Sequence, residues 1–401
     1  MAQKTGPAGM NADFAAAEKK TFSRRAKKFL VADHRYVFLG TSVLACIAYA
    51  LLQGAPSRYS FLAVPALDLA AKAVLGAWFV FAAVALVTKL THWDPARYAA
   101  TWACTDKMKR VEKICAYVVW ALVALVVLDR AVFGFVAMAQ DAAAAPTVPD
   151  GFVESAIYMM AASQSMYVRG ISTTIELAVF GTVIAFFLAL LMVFLRIQTP
   201  NRKDNDFVKF LKIVGSGFAS LYSTVVRGTP MMVQGLIIYT GGFLAFKSTG
   251  MTTTEVTHVW TTFIAGLVII SLNSTAYIME ALRGGIEAVD PGQTEAARSL
   301  GLSQWQAMTK VVFPQGVRNA IPALSNEVVI NIKDSSVLSV VGVFDLMFAT
   351  TSVVGIYYNQ MPAYVLAALI YLLLTYVATR LLARLSIALT AKAPESVPSS
   401  N

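Results

Sequence analysis

Residues 171–195 read ISTTIELAVFGTVIAFFLALLMVFL, twenty-five positions with a single charged side chain, Glu176. A hydrocarbon core of about 30 Å is crossed by about 20 helical residues, so this run is long enough to span a bilayer. A barrel strand would alternate apolar and polar residues over about 10 positions, and this stretch does not. It is a membrane helix, and the rest of the chain can be read for others like it.

Hydrophobic residues make up 57% of the 401 positions and the mean hydropathy is +0.62, too apolar for a soluble fold whose surface must be largely polar. Eight spans are expected, at 29–52, 68–90, 114–138, 171–195, 225–246, 258–282, 322–346 and 363–389, which makes the chain an all-α polytopic membrane protein. Lys19, Lys20, Arg24, Arg25, Lys27 and Lys28 precede the first span and place that end in the cytoplasm. They read as an anchor to anionic lipid, not as a nucleic-acid site, because a membrane helix follows at once. The first apolar run is too long, and lacks a small-residue cleavage pattern, for a signal peptide.

Charge tests the resulting topology. Loops 91–113 and 196–212, both cytoplasmic by parity, are the basic ones, whereas the outer loops 53–67, 139–170, 247–257 and 347–362 hold only Arg58, Arg169 and Lys247. Two places strain the assignment. Asp129 and Arg130 interrupt the third span, which would end early there or carry the pair toward the outer interface. Gly228 and Pro230 break the stretch 210–246, so 207–224 is expected to be a surface-lying or partly buried lead-in to one crossing, with Thr229 capping the next helix and Pro230 at its first position.

The organisation expected is a cytoplasmic tail 1–28, three helices and a linker over 29–150, five helices over 151–390, and a tail 391–401. The segment 139–151 is read as the linker outside the membrane. Cys46, Cys104 and Cys115 are scattered, and His34, His92 and His258 lie apart at span edges, so neither a disulfide framework nor a metal site nor a triad is indicated.

The long cytoplasmic loop 284–319 carries the sharpest local signals. Asp290 is an N-cap with Pro291 behind it, Gly301 suits the position just past a helix end, Ser303 and Gln306 form a capping box, and Pro314 is expected to end the second helix of a hairpin. Ala296, Ala297 and Leu300 give the first helix a small apolar side, flanked by Glu295 and Arg298. Such a helix fits a cleft on another protein or lies on the bilayer.

The pattern Glu295-Ala296-Ala297, Gly301, Val311, Phe313-Pro314 resembles the EAA signature of ATP-binding-cassette importer permeases, with Val311 and Phe313 replacing the usual Ile and Leu. Arg227-Gly228-Thr229-Pro230 with Gln234, Tyr277 to Glu280 with Arg283, Pro314-Gln315, and Lys333-Asp334-Ser335 resemble the polar-amino-acid branch, with Ser335 where Thr is usual. The extra N-terminal helices are similar to those of the larger permeases of general L-amino-acid or glutamate/glutamine/aspartate/asparagine systems. The resemblance implies a five-helix importer core and a coupling helix, carrying Glu295, Ala296, Ala297, Arg298, Gly301 and Pro314, seated on a cytoplasmic ATPase dimer. It also implies a related second permease subunit, a periplasmic amino-acid-binding protein, and alternating access in the bacterial inner membrane. ATP and Mg are expected on the ATPase and no cofactor here, since the chain has no GxxxxGK[ST] loop.

Polar residues within spans point to a pathway independently. Asn273, Tyr277 and Glu280 share one face of the sixth span, and Glu327, Asn331 and Ser335 one face of the seventh, with Asp334 beside them. Residues this polar need a partner or a watery cavity. Asn273, Tyr277, Asn331, Asp334 and Ser335 are the candidate pathway residues. Arg227, Gly228, Thr229, Pro230, Glu280, Arg283 and Lys333 are read as structural, with Glu280 pairing Arg283 or Arg227. An ion-coupled transporter would instead show paired interrupted helices, and only one interruption is evident; a membrane enzyme would gather His, Asp, Glu or Cys at one depth.

Overall fold

The computed structural model describes residues 40–92, 95–202 and 204–390, so the basic segment before the first span, His34, and both expected tails lie outside the described residues. The chain forms two compact units, Met1–Ala145 and Pro146–Asn401.

In the first unit, α1 (Ser42–Gln53), α2 (Pro65–Thr91) and α3 (Asp106–Ala143) pack around Leu52, Leu75, Trp78, Val119 and Val126. Asp129 and Arg130 do not end the third helix. A π turn over Val127–Phe133 carries them and the helix continues to Ala143. The charges are absorbed by partners: Asp129 accepts from Ser60 Oγ at 2.6 Å and from the Leu62 N–H at 3.2 Å, while Arg130 donates to Asp68 at 3.2 Å. A fully buried carboxylate is tolerable only when so satisfied. Because α3 extends to Ala143, the non-helical connector covers 144–151, shorter than the expected 139–151.

The second unit contains α4 (Phe152–Ala162), α5 (Gln164–Arg196), α6 (Asp206–Gly228), α7 (Met231–Ser248), α8 (Thr253–Val259), α9 (Thr262–Glu287), α10 (Pro291–Ser299), α11 (Gln304–Val341), α12 (Leu346–Tyr357) and α13 (Gln360–Thr390). Helix α9 is central: 61% of its apolar window is buried, against 11% for α13 at the periphery. It packs on α5 and α11 through Ala185, Ala189, Ile278, Met279 and Leu282.

Among the described residues, α2, α3, α5, α9 and α13 are long and apolar enough to cross a membrane. The count becomes seven if α6–α7 and α11–α12, bent by 112° and 52°, each make one span. Of the expected first span only 42–53 is seen as regular α-helix, and 29–39 lie outside the described residues. The expected 225–246 span is cut by the α6–α7 break, and the expected 322–346 span begins much earlier, because α11 runs unbroken from Gln304.

Candidate coupling surface and polar pathway

Helix α10 begins where Asp290 accepts the Gly292 N–H at 2.6 Å, with Pro291 at the first helical position. It ends in a Schellman motif: the Leu302 N–H reaches the Ala297 carbonyl at 3.2 Å and the Gly301 N–H the Arg298 carbonyl at 3.0 Å. Gly301 holds φ +84°, a left-handed conformation that glycine adopts without a Cβ penalty. Ala297 is buried and packing joins α10 to the turn over 308–312. Glu295, Ala296 and Arg298 are exposed, and Leu300 is 82% exposed, an apolar side chain left bare at the helix tip.

Pro314 does not end the second helix. The Ser303–Gln306 capping box forms as the spacing predicts, but the chain then passes through a π turn at Met308–Val312 and straight on through Pro314. Proline inside a helix removes one hydrogen bond and crowds the preceding turn. The wider π turn takes up that mismatch, and Gln315 Nε2 donates to the Val311 carbonyl at 2.9 Å. So the expected hairpin is a short helix followed by the start of a spanning one. Its two ends are clamped where Gly285 of α9 meets Gly316 of α11: a β-carbon on Gly285 would run into the Gly316 carbonyl oxygen. Asn319 Nδ2 adds a bond to the Gly285 carbonyl at 3.2 Å.

A second loop is tied to the start of α11. Asn201 Nδ2 donates to Gln304 Oε1 at 3.0 Å, tying the α5–α6 loop to the first turn of α11. Asp204 accepts from Lys212 Nζ and from the Asn201 N–H, both at 2.8 Å. The Lys212 bond holds the Asp204 carboxyl below its usual range, so the turn stays pinned at neutral pH.

The break between α6 and α7 is held by Gln234. Its amide nitrogen lies 2.7 Å from the Val226 carbonyl, 2.9 Å from the Thr229 carbonyl and 2.8 Å from Thr229 Oγ1, so its two hydrogens are shared among three acceptors, two of them carbonyls that a continuous helix would have satisfied. Thr229 therefore does not N-cap α7. It closes α6, donating to the Val225 carbonyl at 2.8 Å, and Pro230 is the residue before the first turn, which starts at Met231. Gly228 lies at the end of α6 and is exposed.

The polar face of α9 meets this break. Asn273 is buried and donates to Gln234 Oε1 at 3.4 Å; Tyr277, 41% exposed, lies under the Arg227 guanidinium at 5.6 Å. Glu280 accepts from Ser223 Oγ at 3.0 Å and from Arg283 at 2.8 Å, so of its two expected partners it takes Arg283.

On α11, Asn331 is 1% exposed and fully committed: Ser274 Oγ donates to its carbonyl oxygen and its amide donates to Thr182 Oγ1, both at 2.8 Å. Ser335 is buried and donates to the Ile332 carbonyl. Glu327 is buried, Asp334 half-buried and Lys333 exposed. The candidate pathway residues therefore do not converge. Asn273 and Tyr277 line the α6–α7 break, while Asn331 and Ser335 sit inside the α5–α9–α11 packing. Thr182 and Ser274 were missing from the candidates, since a lone hydroxyl in an apolar run gives no signal until the facing helix supplies Asn331. Gln234 was visible only as part of a motif.

An exposed capped helix between two spanning helices, with polar faces on those helices and a broken span beside them, defines a membrane transport permease. Residues 210–388 match the family described as binding-protein-dependent transport system inner membrane component. The chain is 32% identical over 222 residues to the arginine ABC transporter permease protein ArtM of Haemophilus influenzae, covering 55% of this chain and 91% of that one. It is 31% identical over 215 residues to the nopaline transport system permease protein NocM of Agrobacterium fabrum, covering 53% and 82%. It is 38% identical over 157 residues to a putative glutamine transport system permease protein GlnP of Rickettsia bellii, covering 39% and 67%. The chain belongs to this family of ABC transporter permeases.

Proposed function

We propose that the chain is the transmembrane permease subunit of an ATP-driven importer of L-amino acids in the bacterial inner membrane. A periplasmic binding protein delivers the substrate and a cytoplasmic ATPase dimer with its ATP and Mg drives alternating access. The observation that carries this reading is α10: it is capped at both ends, yet Glu295, Ala296 and Leu300 are exposed, as is Arg298, whose guanidinium reaches only the Leu302 carbonyl next to its own helix. The exposed face fits a cleft on the ATPase, and the π turn and the Gly285–Gly316 clamp would pass its displacement to α9 and α11. The relatives are named for arginine, nopaline and glutamine, which supports an amino-acid substrate, and we assign polar or acidic amino acids over a broad range. ATP hydrolysis belongs to the partner subunits. The N-terminus is cytoplasmic, and a related second permease completes the pathway.

Within that pathway, Tyr277 and Arg227 are exposed at the helix break and Asn273 lies buried behind Gln234, whereas Asn331 and Ser335 would meet substrate only if α5, α9 and α11 part. Donors and acceptors together suit a substrate with both a carboxylate and an ammonium group. The test is ATP-dependent uptake of labelled glutamate and competing L-amino acids into vesicles holding the assembled transporter. Glu295→Arg with Gly301→Arg should abolish uptake while the chain still inserts. Unchanged uptake would remove α10 from the ATPase interface, and uptake that collapses with a protonophore while ATP is maintained would favour an ion-coupled transporter.

A further inference from the structure

The loop that joins α5 to α6 and the first turn of α11 enclose a cavity of about 210 Å³, lined by Gln198, Asn201, Lys212, Gln304 and Trp305 among others. That is below the about 300–1,000 Å³ of sites that take a drug-sized ligand, so it suits a single polar group. The donors around it outnumber the bonds they make. Lys212 Nζ gives one hydrogen to Asp204 at 2.8 Å and lies 3.4 Å from the Thr199 carbonyl, which leaves a third hydrogen over. Asn201 Nδ2 donates to Gln304 Oε1 at 3.0 Å, but the side-chain amide hydrogens of Gln304 and of the half-buried Gln198 make no hydrogen bond among the described residues. In the segment 196–212, Arg196, Arg202, Lys203, Lys209 and Lys212 outnumber Asp204 and Asp206. Unused N–H donors in positive surroundings call for an anion, and they suit phosphate oxygens.

A bare apolar strip leads to this cavity. Phe187, Leu191, Phe194 and Gln198 follow one another at spacings of four, three and four, and so share one face at the end of α5. Phe187 and Leu191 are 64% and 62% exposed. Phe194 meets the Trp305 ring at 6.0 Å, and that indole is itself 58% exposed. At about 1.5 Å per residue, Gln198 to Phe187 covers about 16 Å, half of a hydrocarbon core of about 30 Å. A phosphate-sized polar cavity, an indole beside it and one leaflet's depth of apolar surface together outline a phospholipid. A soluble anion would use the cavity and leave the strip bare.

We propose that this cavity holds the phosphate headgroup of an anionic phospholipid of the inner leaflet, with Lys212, Gln198 and Gln304 donating to the phosphate and an acyl chain following Leu191 and Phe187. Because the Asn201–Gln304 bond borders the cavity, a bound headgroup would fasten the α5–α6 loop to the first turn of α11, just after α10. The test uses the full transporter with its partner subunits in nanodiscs that mix phosphatidylglycerol with phosphatidylcholine, and native mass spectrometry counts the lipid kept on release. The wild type should keep phosphatidylglycerol in preference to phosphatidylcholine. Lys212→Gln should keep about tenfold less, as for loss of one charge-assisted hydrogen bond. Because that change also frees Asp204, Gln198→Glu is the second variant. It sets a carboxylate against the phosphate and breaks no bond of the fold, so retention should fall as far while the melting temperature holds. Equal retention of the two lipids by the wild type overturns the proposal. So does a preference that both variants leave intact, which would mean that the basic loop merely attracts lipid around it. Inorganic phosphate that stabilises the wild type but not Gln198→Glu in pure phosphatidylcholine discs would make this a site for a soluble anion, and overturns it as well. Retention needs no transport, so the result stands apart from whether the importer reading holds.

Discussion

A β-carbon at position 301 would meet nothing within 4 Å, so the only objection to a side chain there is the backbone, at φ +84°. At position 316 the objection is the reverse: the backbone is an ordinary helix, but a β-carbon would lie 2.8 Å from the Ile286 Cα. The two glycines should therefore fail differently. Gly301→Ala costs about 1–2 kcal/mol of local conformation and should loosen the end of α10, lowering ATP-driven uptake severalfold with little change in the global melting temperature. Gly301→Asn should retain more activity, because Asn tolerates the left-handed region better. Gly316→Ala forces α9 and α11 apart, an overpacking cost of about 1–3 kcal/mol, and should lower the melting temperature directly. Uptake and thermal melts on the three variants separate the cases, and equal melting losses at both positions would contradict this distinction. The first glycine was legible in the sequence, because a helix-stop signal is local. The second was not, because a close approach depends on which helix comes to lie opposite.

The same division between local and non-local information explains the prolines. Pro291 follows an N-cap and does open α10, whereas Pro314, a stop by its local sequence, is crossed by a helix with a π turn before it. Nothing in the local residues distinguishes a proline that ends a helix from one accommodated by a wider turn. Pro314→Ala should let an ordinary α-helix form through 308–318, removing the reason for the π turn and rotating the first turns of α11 relative to the rest. Thermal stability is expected to hold or rise while the ratio of uptake to ATP hydrolysis falls; a variant with normal coupling would show that the π turn only accommodates the proline. The α6–α7 break behaves as a similar unit, and there the sequence named the breaking residues but not the one that mends them. Gln234→Ala leaves the part-buried Val226 carbonyl and the exposed Thr229 carbonyl without their amide donor, at about 0.5–1.5 kcal/mol. Gln234→Glu should be at least as damaging, because a carboxylate cannot donate to those carbonyls. Both should change uptake more than insertion, which quantitative blotting of the membrane fraction can check.

At the scale of the whole chain, the two units keep separate cores: Leu75, Trp78 and Val119 belong to the first, and the α5–α9–α11 packing belongs to the second, which also holds the whole family match at 210–388. A chain of residues 146–401 should therefore insert and melt cooperatively without the first 145. Its orientation is a separate question, because removing the three expected spans also deletes the basic N-terminal signal and leaves residue 146 to find its own side. The segment 196–212 should decide it, since Arg196, Arg202, Lys203, Lys209 and Lys212 gather there while Arg169 and Lys247 are the only Lys or Arg of the expected outer segments 146–170 and 247–257. A fluorescent-protein fusion at residue 200 is expected to glow from the cytoplasm, and a phosphatase fusion at residue 250 to be active outside, in the full chain and the truncation alike. The second fusion is the more demanding, because it is external only if α6 and α7, bent by 112°, cross the bilayer once between them. Loss of fluorescence from the fusion at 200 in the truncated chain alone would show that the first unit sets the topology of the second. An inactive phosphatase at 250 in both chains would mean that α6–α7 is re-entrant or crosses twice, and every later loop would then have to change sides.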